Sequence, residues 1–122
     1  MKTPEACHQP PSPTLRAAIR QFNDGAYFAC HETLEELWRI QDDPLRDFYQ
    51  GLLQIAVGLL HRQKGNFKGA RSLIVKGSTL IRPMAPDCLA IDVNKLLGQC
   101  ELILVRLEES TAPAPKIHLL ET

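Results

Sequence analysis

His31 and Glu35 stand four residues apart among Tyr27, Phe28, Cys30, Leu34, Leu37 and Trp38. At helical spacing the pair shares one face, and that face is the apolar one. A carboxylate there carries a desolvation cost unless it is paired or hydrogen-bonded, and His31, one turn earlier, is its nearest partner. Glu32 falls at the border of the apolar arc, whereas Thr33 and Glu36 point away. A second polar set, Gln50, Gln54 and His61, forms a narrow strip on a stretch dominated by Phe48, Tyr49, Leu52, Leu53, Ile55, Ala56, Leu59 and Leu60. Gly51 and Gly58 flank that strip. Glycine inside a helix costs about 1 kcal/mol relative to alanine, so two of them point to a close approach by another backbone.

Three chemistries are open to these side chains. One is a hydrogen-bond network, buried or lining a groove, that fixes how two helices pack. A second is a metal site, with His31, Glu35 and His61, helped by Glu32 or a water, holding Zn²⁺, Fe²⁺ or Mn²⁺. The segment His31-Glu32-x-x-Glu35 lacks the second histidine of a zincin helix and the paired Glu-x-x-His segments of di-iron bundles. The third is metal-free acid–base chemistry, with Glu35 as base and His31 or His61 as acid, if burial moves both groups toward neutrality. No Walker loop, dinucleotide fingerprint, nucleophile elbow or kinase signature names a substrate.

The elements that must position these residues are helices. Ser12-Pro13 reads as an N-cap followed by proline at the first helical position, and Asn23-Asp24-Gly25 ends that helix. Further helices are expected over about 26–40, 45–63 and 67–82, each closed by a proline or glycine signal. Asp92 caps a fifth, with Val93, Leu96, Leu97, Cys100, Leu104 and Leu107 in one stripe. The third is apolar around most of its circumference and is therefore central and buried. The fold class is all-α, a single bundle of about five helices over 12–110, with a flexible arm at 1–11 and a proline-containing tail at 111–122.

The chain has 122 residues, with 14 Lys+Arg against 14 Asp+Glu, and 44% hydrophobic residues. That length and apolar content suit one folded domain and exclude global disorder. Zero net charge argues against general nucleic-acid binding. It conceals a polarised chain, because residues 24–47 hold seven acids and two bases while 61–82 hold six bases and no acid. Lys68, Arg71, Lys76 and Arg82 fall opposite the apolar arc of the fourth helix, forming a solvated basic face or a dock for an anionic partner.

No apolar leader segment is visible, and the longest uncharged run, 48–60, is too short to cross a bilayer. Cys7, Cys30, Cys88 and Cys100 are widely spaced and form no C-x-x-C pair, although their even count would allow two disulfides. Cys30 and Cys100 fall on apolar helix faces, where a free thiol behaves as a small hydrophobe. A reduced, cytoplasmic protein without membrane association is expected.

The run 22–38, containing Asn23-Asp24-Gly25, His31-Glu32 and Glu35 through Trp38, resembles the opening motif of the domain of unknown function 309 family. Gln50-Gly51-Leu52-Leu53-Gln54 with His61, then Gly65-Asn66 and Gly69-Ala70, resembles its second block. The resemblance covers about 15–82 and implies a small all-helical protein with no assigned activity. It implies signature positions at His31, Glu32, Glu35, Trp38, Gln50, Gln54 and His61. The expected function is a binding or scaffold module built on this polar centre, the alternative being a metal-dependent enzyme using His31, Glu35 and His61.

Overall fold

The computed structural model describes residues 3–42 and 44–121. Ser12 opens α1 (Pro13–Asn23): its Oγ accepts a hydrogen bond from the Leu15 amide at 3.1 Å, satisfying one of the orphan donors of the first turn. Gly25, at φ +77°, supplies the left-handed residue that stops this helix and turns the chain into α2 (Tyr27–Ile40). Then follow α3 (Leu45–Gln63) and α4 (Phe67–Ile81), with Gly65 (φ +78°) at the turn between them. Asn66 caps α4 by accepting from the Gly69 amide at 3.0 Å. Asp92 does the same for α5 (Val93–Leu104) through the Lys95 amide at 2.9 Å.

Each helix packs on the next, and α3 takes both α2 and α4 against it. Phe48, Leu52 and Ile55 of α3 are fully enclosed, so the helix read as apolar nearly all round is the centre of the fold. The paired glycines explain the closeness of α3 to α4. A Cβ on Gly51 would lie 2.9 Å from the Gly77 carbonyl oxygen, and one on Gly58 would lie 3.1 Å from the Ala70 carbonyl oxygen. Backbone therefore meets backbone, and Gly77 answers from the α4 side.

Between α4 and α5 the chain makes a two-stranded antiparallel ribbon, β1 (Asp87–Cys88) and β2 (Ile91–Asp92). Its turn residues, Leu89 and Ala90, both have positive φ, 51° and 65°. Hairpins of this kind normally recruit glycine or asparagine there. Tertiary contacts hold the turn instead: Leu89 is buried, its amide donates to the Cys7 carbonyl at 2.7 Å, and Leu119 bridges to Ile91.

Described residues on both sides of the helices pack against them. Glu5–His8 forms a 3-10 turn, and Cys7 is buried. The tail is irregular, yet Ala112 and Ile117 are buried. Arg62 donates to the carbonyls of Leu107, Glu109 and Ala112, and Asn23 exchanges two hydrogen bonds with the Ile117 backbone. Arg16 pairs with Glu121 and holds that carboxyl below the usual carboxylate range.

The expectation of four reduced cysteines is overturned for two of them. Cys7 and Cys88 form a disulfide with an S–S distance of 2.15 Å across a sequence separation of 81. Spacing in the sequence carries no trace of that pairing, because the packing of the amino-terminal turn on the β1–β2 ribbon creates it. Cys30 and Cys100 are free and buried, and burial pushes their thiols up to about 12 and about 11.

Candidate functional site

A cleft of about 190 Å³ opens between α2 and α3, lined by His31, Glu35, Trp38, Gln50, Leu53 and Gln54. The α2 residues recur at i, i+4 and i+7, and the α3 residues at i, i+3 and i+4, so each trio lies on one side of its helix. Leu53 adds an aliphatic side chain to the lining. A search for polar groups alone passes over it, although its position three residues after Gln50 places it on the same face.

Glu35 has a nitrogen-bearing side chain one turn away in each direction along α2. Arg39 Nη2 donates to its Oε1 at 2.8 Å, and His31 Nε2 lies 3.6 Å from its Oε2, longer than a hydrogen bond. The His31 and Glu35 side chains are 30% and 32% exposed, so they line an opening and are not sealed inside the helix interface. The guanidinium carbon of Arg46 sits 4.2 Å from the Trp38 ring centroid, a cation–π contact that fixes the indole plane. Phe28 is 61% exposed one turn before His31, with the two rings 6.1 Å apart.

Two cleft residues carry polar atoms shut off from solvent and without a hydrogen-bond partner, Trp38 Nε1 and Gln54 Oε1. An unmet buried donor or acceptor costs about 1–3 kcal/mol. The donor belongs to α2 and the acceptor to α3.

Five of the seven expected centre residues thus converge on the cleft, and two do not. Glu32 is exposed and outside it. His61 occupies the last turn of α3, where its Nδ1 lies 3.3 Å from Asn66 Nδ2. It shares an angular strip with Gln54 but sits two turns along, about 10 Å at 1.5 Å per residue. The proposed metal set of His31, Glu35 and His61 is therefore not assembled. Among the described residues no three His, Cys, Asp or Glu side chains group so as to hold an ion. Glu35 bonded to Arg39 and a third exposed also lacks the sealed setting that the acid–base reading presupposed.

The basic face expected on the fourth helix is solvent-facing, with Arg82 lying in the 3-10 turn just past the end of α4. Lys68, Arg71, Lys76 and Arg82 are all exposed, as are Ser72, Val75 and Thr79 between them. Arg71 Nη2 donates to the Leu104 carbonyl at 3.1 Å. Beside it runs an open groove of mixed charge that includes Phe67, Lys68, Arg106 and Glu109.

Residues 15–73 match the family model described as Domain of unknown function (DUF309), a span running from α1 into α4 that holds every cleft residue. Among curated relatives, the uncharacterised protein YpuF of Bacillus subtilis is 31% identical over 90 residues, covering 70% of this chain and 51% of its own length. An uncharacterised protein of Aquifex aeolicus is 26% identical over 107 residues, covering 86% of this chain and 32% of its own. The chain spans about half the length of the first relative and about a third of the second.

Proposed function

We propose that the helical unit matching DUF309 over residues 15–73 is a small binding module, with the α2–α3 cleft as its ligand site. One observation carries this reading. Trp38 Nε1 and Gln54 Oε1 are unsatisfied in the wall of a cleft that also presents His31, Glu35 and Gln50. The other such atoms among the described residues, Gln21 Oε1 and Ser78 Oγ, lie outside the cleft, so it is the coincidence of unmet atoms with an opening that sets Trp38 and Gln54 apart. Groups retained at a cost to stability suit a partner that arrives from outside.

The test is the stability of Gln54→Met, which keeps the side-chain length and removes the unmet acceptor. The expected result is an unfolding free energy in urea equal to wild type or higher by about 1 kcal/mol. A loss of 1 kcal/mol or more contradicts the binding role and returns Gln54 to a packing network.

A second reading concerns the exposed side of α4 and the turn that follows it, which carry Lys68, Arg71, Lys76 and Arg82 and no acid. This face suits a polyanionic partner by charge. Retention on heparin that falls steeply with salt, and falls further in Lys68→Glu/Lys76→Glu, is expected. Retention unchanged by the double charge reversal leaves only a solvated face. No helix among the described residues is long and apolar enough to cross a membrane. A cytoplasmic setting would keep the Cys7–Cys88 pair reduced. A thiol count on acid-quenched cells reads that state directly.

A further inference from the structure

Outside the span matched by the family, three sulfur atoms meet where the amino-terminal turn packs on the β1–β2 ribbon. Cys7 Sγ is bonded to Cys88 Sγ and lies 3.7 Å from Met84 Sδ. A disulfide bond is about 2 Å long, so Cys88 Sγ is no farther than about 6 Å from the thioether. Met84 ends the 3-10 turn Arg82–Met84 and is 5% exposed, while Cys7 and Cys88 are 1% and 0% exposed. Two distant stretches of chain thus deliver three soft sulfurs to one buried point. An open groove of about 480 Å³ runs beside it, with Cys7, His8, Asp87, Ala90 and Glu121 in its wall.

Breaking the disulfide turns this cluster into a ligand set. Two equivalents of a small thiol reduce it by exchange, leaving two cysteine thiols and the small thiol oxidised to its own disulfide. The freed sulfurs separate to non-bonded contact near ~4 Å, the spacing of two sulfurs on one trigonal metal at bonds of about 2.3 Å. Met84 Sδ already stands at that spacing from Cys7 Sγ. Two thiolates and a thioether are soft ligands, a set that selects Cu⁺. Structural Zn²⁺ takes four thiolate or imidazole ligands, and the two cysteines with the adjacent His8 supply at most three. An iron–sulfur cluster takes four thiolates, and only two are present here. We propose that the reduced chain binds one Cu⁺ between Cys7 Sγ, Cys88 Sγ and Met84 Sδ. Both thiol protons leave to solvent as the two Cu–thiolate bonds form, and a Met84 lone pair completes a trigonal site. In the oxidised chain the two cysteine sulfurs are bonded to each other, so the disulfide gates the site.

For the test, the whole chain is reduced with a phosphine, desalted without oxygen, and mixed with Cu⁺ held by the coloured chelator bathocuproine disulfonate. Circular dichroism is taken before copper is added, and loss of the helical signal on reduction overturns the proposal. The reduced chain should withdraw one equivalent of copper and the oxidised chain none. X-ray absorption fine structure at the copper edge should show three sulfur neighbours. Met84→Leu conserves volume and should keep the fold, yet weaken copper binding at least tenfold. Unchanged affinity in Met84→Leu, or only two sulfur neighbours, overturns the three-sulfur site. Copper held equally well by the oxidised chain or by reduced Cys7→Ser places the metal elsewhere and overturns the proposal. No withdrawal by the reduced chain does the same.

Discussion

Gly77→Ala unfolds at a markedly lower denaturant concentration than the wild-type chain, although alanine is the better helix former. The helix-propensity gain is about 1 kcal/mol. Against it stands geometry: the new Cβ would lie 2.5 Å from the Gly51 carbonyl oxygen and 3.0 Å from the Ile55 amide nitrogen. These are backbone atoms of the central helix, and no rotamer change moves them away. Separating α3 from α4 would disturb the packing of Ile55 and Ile74, both fully buried. Overpacking of this kind costs about 1–3 kcal/mol and sometimes more, so a net loss near the upper end is expected. Gly98→Ala is the internal control. No atom lies within 4 Å of a Cβ there, and α5 should gain about 1 kcal/mol. Urea titrations of the two variants with opposite signs are expected; a neutral or stabilising Gly77→Ala would mean that α3 and α4 are not in backbone contact.

Reducing the Cys7–Cys88 disulfide lowers stability by about 4.5 kcal/mol, the chain-entropy value for a loop of this length. For a domain of this size that is a fall in Tm on the order of 10 °C or more. The bond ties the Glu5–His8 turn to the ribbon that holds Leu89 and Ala90 at positive φ, so reduction also loosens the carboxy-terminal Leu119 bridge. The measurement is a thermal melt with and without a phosphine reductant, paired with thiol counts. Unreduced native protein should show almost no reactive thiol at pH 8, because Cys30 and Cys100 are buried with thiols pushed up to about 12 and about 11. Denaturant should expose two thiols, and reduction four. Four thiols in denaturant without reductant, or an unchanged melt, would contradict the pairing.

What the sequence makes legible is local. Ser12, Asn66 and Asp92 act as caps, glycines at positive φ stop α1 and α3, and prolines close α4, so the helix limits follow from short-range chemistry. The apolar circumference of α3 and its spaced glycines disclose its central place. Helical angle also brings His31, Glu35, Trp38, Gln50 and Gln54 together. Angle says nothing of depth along an axis, and that is why His61 is misassigned to the same centre. The ribbon escapes notice because its turn is Leu89-Ala90, a pair that is left-handed only because tertiary contacts hold it so. The disulfide escapes because an 81-residue separation leaves no local signature. The unmet Trp38 and Gln54 atoms have no sequence signal at all. They are a property of the assembled wall.

Whether the α2–α3 cleft is a ligand site is read from a high-resolution crystal structure of the whole chain, purified without an affinity tag. The predicted result is density for a bound molecule in the cleft, against His31, Glu35 and Gln50. Trp38 Nε1 and Gln54 Oε1 bonded to protein groups of the wall, with the cleft holding only water, would contradict it.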